Sequence, residues 1–84
     1  MHKLPQRLVN IRAEDRPALK AAMDTPTVAE AIEREQTALT GRGRVLVRAS
    51  GTEPLIRVMV EAPSQDETDQ ACARLAEAVQ SVLG

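Results

Sequence analysis

The chain has 84 residues, a net charge of −1, and no Phe, Trp or Tyr. A single small domain of this length must build its core from Leu, Ile, Val, Met and Ala, with little stability in reserve. Near-neutral charge and the lack of any aromatic platform argue against nucleic-acid binding. The single Cys72 rules out an internal disulfide and offers no cysteine metal site.

Taken in order, Met1-His2-Lys3 reads as a frayed start, and residues 1–4 as disordered or as a non-native leader. His2, the only histidine, reads as a solvated terminal residue and not as a catalytic base. Gln6 to Arg12 alternates, with Leu8, Asn10 and Arg12 on one face and Val9 and Ile11 on the other, which predicts a strand. Glu14-Asp15-Arg16-Pro17 reads as a polar break. Ala18 to Met23 carries Leu19 and Met23 four residues apart and predicts a helical turn. Thr25-Pro26 is a helix start: Thr25 can cap free N–H groups and Pro26 suits the first helical position. The helix runs to about Leu39 on a stripe of Val28, Ile32 and Leu39, and Gly41 ends it. Glu30, Glu33, Arg34 and Glu35 fall mostly off that stripe and read as a solvated face, not a metal site.

Two further strands follow. Arg44 to Ala49 sets Val45, Val47 and Ala49 against Leu46, Arg48 and Ser50. The next sets Ile56, Val58 and Val60 against Leu55, Arg57 and Met59. A short loop joins them, so they are expected to pair as an antiparallel hairpin. Glu61-Ala62-Pro63 ends the second. Ser64 and Glu67 match a capping box, and Asp66 and Glu67 favour a helix N-terminus. The helix is expected from about Gln65 to Leu83, with Ala71, Leu75, Ala78, Val79 and Val82 as its apolar stripe and Gly84 at its stop. Cys72, among alanines, reads as a small, partly buried residue. The expected fold is α+β, a small antiparallel sheet of three to four strands with two helices packed on one face, in the order β-α-β-β-α and spanning 1–84 as one domain. No apolar run reaches membrane-spanning length and no signal peptide is visible, so a cytoplasmic chain without a membrane partner is expected.

The chemistry gathers in the loop Arg48-Ala49-Ser50-Gly51-Thr52-Glu53-Pro54, with Arg57 just beyond. Arg48 offers an always-charged planar fork to a phosphate or carboxylate. Ser50 and Thr52 add hydroxyls, and Gly51 admits close backbone approach. Successive N–H groups in such a turn can form an anion nest. Arg48 and Arg57 lie near the loop end of neighbouring strands and converge if the register allows. As bare residue types the stretch reads first as an ordinary solvated hairpin loop, since Ser, Gly and Thr are common turn residues. Residues 41–61 carry a balance of +2 through Arg42, Arg44, Arg48 and Arg57, against zero over 1–40 and −3 over 62–84. A local basic patch on a slightly acidic domain suits a small anion better than a long polyanion.

The run from Gly41 through Arg48-Ala49-Ser50-Gly51-Thr52-Glu53-Pro54-Leu55-Ile56-Arg57-Val58 to Glu61 resembles the C-terminal domain of bacterial phosphoglucosamine mutases, within the α-D-phosphohexomutases. The Val9-Asn10-Ile11-Arg12 strand, the Thr25–Leu39 helix and the last helix resemble the same domain. The resemblance implies the fourth domain of an isomerase that interconverts glucosamine 6-phosphate and glucosamine 1-phosphate through a bisphosphate, for UDP-N-acetylglucosamine and peptidoglycan synthesis. It implies that Arg48, Ser50, Gly51, Thr52 and Arg57 hold the substrate's non-reacting phosphate. Glu53 is expected to orient Arg48 or Arg57, or else to contact the sugar. Arg42 and Arg44 either raise the local potential or are solvated linker charges. The family's phosphoserine, its Mg²⁺ and its sugar-recognition loop belong to the other three domains, the expected partners beside the phosphosugar. No catalytic residue, metal ligand or bound cofactor is therefore expected here, nor mutase activity from the domain alone. A hinge near the N-terminus is expected to close it over the cleft. Two other readings stay open: the C-terminal domain of a phosphomannomutase or phosphoglucomutase, and a stand-alone anion-binding module. An uncovered sheet edge or patch also leaves a homodimer open.

Overall fold

In a computed structural model, which describes residues 4–83, the order is β1 (Gln6–Arg12), α1 (Arg16–Met23), α2 (Pro26–Leu39), β2 (Arg44–Ala49), β3 (Leu55–Glu61) and α3 (Gln65–Leu83). His2 and Gly84 lie outside the described residues. The strands form one antiparallel sheet in the order β1-β3-β2. The last strand in sequence is therefore the central one. Its composition suits that place: Ile56, Val58 and Val60 are each 0% exposed.

The fold is α+β as expected, with one addition. The segment read as a polar break and a helical turn is a complete helix, α1. Asp15 is its cap: its carboxylate accepts from the Ala18 N–H at 2.9 Å, and Pro17 sits in the first turn where a missing N–H costs nothing. Leu19 and Ala22 are buried and hold the helix against the core. The order is thus β-α-α-β-β-α. Thr25 starts α2 but does not cap it; its hydroxyl donates back to Ala21 O at 2.8 Å and ties the two helices together.

One sheet face meets the helices. There Ile11, Val45, Ile56, Val58 and Val60 pack with Leu19, Val28, Leu39, Ala71, Cys72, Leu75 and Val79. The opposite face is open. The register lines up Leu8, Met59 and Leu46 across it, and next to them Asn10, Arg57 and Arg48. Leu8 is 57% and Leu46 39% exposed.

Two glycines shape the turn into β2. Gly41 takes φ 76°, and the N–H groups of Arg42 and Gly43 both reach Leu39 O at 2.8 Å. At Gly43 a Cβ would run into Glu61 O, so the backbones approach as only glycine permits.

Three helix details differ from the sequence reading. Glu35 is not on a solvated face. It is 4% exposed, sits on the α2 stripe with Val28, Ile32 and Leu39, and binds Arg74 in a two-pronged pair, Nε to Oε2 at 2.7 Å and Nη2 to Oε1 at 2.8 Å. The capping box is half made: Ser64 Oγ accepts from the Glu67 N–H at 3.1 Å, while the Glu67 carboxylate turns to Arg42 at 3.2 Å. Cys72 is fully buried, and burial pushes its thiol pKa up, with nearby Arg7 pulling the other way. It is an inert part of the core.

Candidate anion-binding site

Strand register decides the geometry. Arg48 on β2 pairs directly with Arg57 on β3, on the open face of the sheet. Like charges placed directly opposite each other destabilise a sheet, and among the described residues neither guanidinium has a carboxylate partner. Two exposed cations are thus set side by side, with no carboxylate to neutralise them among the described residues.

The loop beyond them is closed at both ends. The Ser50 N–H donates to Leu55 O at 2.8 Å and the Leu55 N–H to Glu53 O at 2.7 Å. The Ala13 N–H, just past β1, donates to Pro54 O at 2.7 Å. Inside the loop the N–H groups of Thr52 and Glu53 both point at Ser50 Oγ, at a long 3.4 Å. Such long contacts leave both donors only weakly engaged. A Cβ at Gly51 would meet no protein atom within 4 Å, so packing does not require glycine there.

These pieces enclose a depression of about 330 Å³ lined by Arg48, Ala49, Ser50, Gly51, Thr52 and Arg57. All five residues expected to contact a phosphate therefore face one space. It offers two guanidiniums, two hydroxyls and backbone N–H groups, which can surround a small oxyanion with charged and neutral donors. A larger depression of about 470 Å³ runs along α2 past Glu30, Glu33, Arg34 and Thr37, but there two carboxylates stand beside a single guanidinium, which does not suit an anion. Among the described residues no three of His, Cys, Asp and Glu gather where they could hold a metal ion. The donor set does not fit Mg²⁺.

Three nearby charged residues lie away from the Arg48–Arg57 pair. Glu53 is not on Arg48 or Arg57; its nearest cation is Arg12, at 3.8 Å. Arg42 and Arg44 do not serve the loop. They lie at the far end of the hairpin, Arg42 on Glu67 at 3.2 Å and Arg44 on Glu61 at 3.6 Å. The positive excess of this stretch is thus split between a neutralised end and a bare one. Conversely, sequence reasoning missed Arg12 and Arg16. Arg16 Nη2 donates to Gly51 O at 2.8 Å, from 35 residues away in the chain. No local pattern signals this contact, which exists only because β1 lies beside β3.

Known proteins resemble this chain along nearly its whole length. The family model described as phosphoglucomutase/phosphomannomutase, C-terminal domain, matches residues 8–78. Phosphoglucosamine mutase of Lactococcus lactis subsp. cremoris is 46% identical over 80 residues, covering 95% of this chain and 18% of the relative. That of Listeria monocytogenes is 47% identical over 83 residues, covering 99% of this chain and 18% of its own length. The chain thus spans under a fifth of these relatives. Among solved structures it is similar to Aspergillus fumigatus N-acetylphosphoglucosamine mutase, in complex with GlcNAc-6P and magnesium, with TM-score 0.77 and 32% identity over 99% of this chain and 16% of that one.

Proposed function

The chain belongs to the phosphoglucomutase/phosphomannomutase C-terminal domain family, and from that premise we propose that it is the phosphate-holding domain of a phosphoglucosamine mutase. In this reading Arg48, Ser50, Gly51, Thr52 and Arg57 bind the phosphate that is not being transferred. The enzyme as a whole interconverts glucosamine 6-phosphate and glucosamine 1-phosphate through a bisphosphate, in the cytoplasm. The glucosamine branch is favoured by relatives at 46% and 47% identity. The observation that carries the phosphate reading is the Arg48–Arg57 register pair, unpartnered and facing the loop depression.

The residues of this chain act by binding and orientation. Arg48 and Arg57 supply charge, and the loop N–H and hydroxyl groups supply direction. Contacts to the far phosphate fix the reacting end of the sugar without touching it, so remote binding energy serves positioning. The loop reads a phosphate and not a sugar face, so either phosphate of the bisphosphate can occupy it. In this family-based reading Mg²⁺ serves phosphoryl transfer in the longer enzyme, outside this domain; holding the far phosphate does not call on it.

The test is an NMR titration of the 84-residue chain with inorganic phosphate and, separately, glucosamine 6-phosphate. Shifts centred on Arg48 to Thr52 and on Arg57 are expected. In Arg48→Ala the affinity should fall about tenfold, as for loss of a charge-assisted hydrogen bond. Full binding by that variant would sink the assignment.

A further inference from the structure

We infer that Arg16 is a positioning residue for the anion cradle: from the first turn of α1 it holds the Gly51–Thr52 peptide plane so that the Thr52 N–H faces the bound oxyanion. This inference rests on the phosphate reading above and deepens it. A trans peptide is planar, and its C=O and N–H point to opposite sides. Arg16 Nη2 takes the Gly51 carbonyl at 2.8 Å. The N–H of the same plane is thereby turned the other way, where it meets Ser50 Oγ at 3.4 Å beside the depression. No other contact with the protein holds that carbonyl among the described residues.

The anchor itself is well founded. Arg16 is the first residue of α1, whose opening turn is pinned by Asp15 on the Ala18 N–H at 2.9 Å and stiffened by Pro17. Gly51 can otherwise rotate freely, since it lacks a Cβ and has open space around it. A glycine at the mouth of a phosphate site gives access and loses order; a guanidinium on its carbonyl restores the order from outside. Preorganised donors are worth more than mobile ones because no ordering is needed at the moment of binding. Arg16 does this without entering the depression.

The experiment compares the parent chain with Arg16→Met, which keeps the stem, and Arg16→Lys, which keeps the charge and a donor nitrogen. Two readouts are taken: the Thr52 amide resonance and heteronuclear NOE without ligand, and the affinity for inorganic phosphate. Arg16→Met is expected to displace and loosen the free Thr52 amide and to weaken phosphate binding about fivefold, with Arg16→Lys recovering most of both. Affinity of Arg16→Met within about twofold of the parent would overturn the anchor. So would weaker binding with an unmoved free Thr52 amide, which would assign the loss to charge alone. A parent chain in which phosphate moves neither Arg48 to Thr52 nor Arg57 would overturn the cradle reading, and this inference with it.

Discussion

The two ends of the β2–β3 hairpin carry the same residue type in opposite states. At the far end Arg44 meets Glu61 across the strands and Arg42 meets Glu67 on α3, at 3.6 and 3.2 Å. At the loop end Arg48 and Arg57 face each other with no carboxylate among the described residues. A sheet that only needed to be stable would place acid opposite base at both ends. The far end follows that rule and the loop end breaks it. Departures from local consistency of this kind are what functional sites look like when the missing counter-charge belongs to a ligand.

The sharpest way to break the comparison is Gly43→Ala at the far end. The new Cβ would press on Glu61 O, and a loss of about 3 kcal/mol is expected from a backbone clash in a packed turn. Thermal or urea melts followed by circular dichroism measure it. A variant as stable as the parent would show that the tight approach is dispensable. Arg57→Ala comes next and should behave in reverse. Phosphate affinity should fall about tenfold, while stability holds or rises by a few tenths of a kcal/mol as the like-charge pair is relieved, roughly. A clear loss of stability with unchanged affinity would make the pair structural and erase the contrast. Arg44→Ala should do least, costing about 0.5 kcal/mol as exposed ion pairs do and leaving phosphate titrations unchanged. Weakened phosphate binding in that variant would mean that the far end also serves the site.

Much of the fold was legible because its signals are local. Alternation in Val45–Ala49 and Ile56–Val60, the Pro26 start and the stripe of Leu75 and Val79 each depend on neighbours in sequence. The loop was legible for the same reason, since its donors lie within ten residues of one another. What stayed hidden depends on contacts across the fold. Asp15 looks like one charge in a polar break until Leu19 and Ala22 are seen buried behind it. Glu35 looks solvated until α3 brings Arg74 to it. Arg12 looks unrelated to Glu53, and Arg16 to Gly51, until the strand order β1-β3-β2 sets the end of β1 beside the loop. Whether Arg48 and Arg57 meet was a question of register, and register is a property of the pair of strands and not of either one.

In the proposed reading, that register would make the anion a clasp as well as a cargo. Slipping β2 by one residue against β3 would send Arg48 to the helix face and Val47 out to water. Only the native alignment presents both guanidiniums to one oxyanion. A phosphate bridging Arg48 and Arg57 therefore fastens two strands at the one place where their own charges push them apart. At a hundredfold excess over its dissociation constant such a ligand would add about 2.7 kcal/mol to folding. In a domain this small a bound phosphate would then be a fair fraction of the glue, with the hairpin most firmly closed when the site is full.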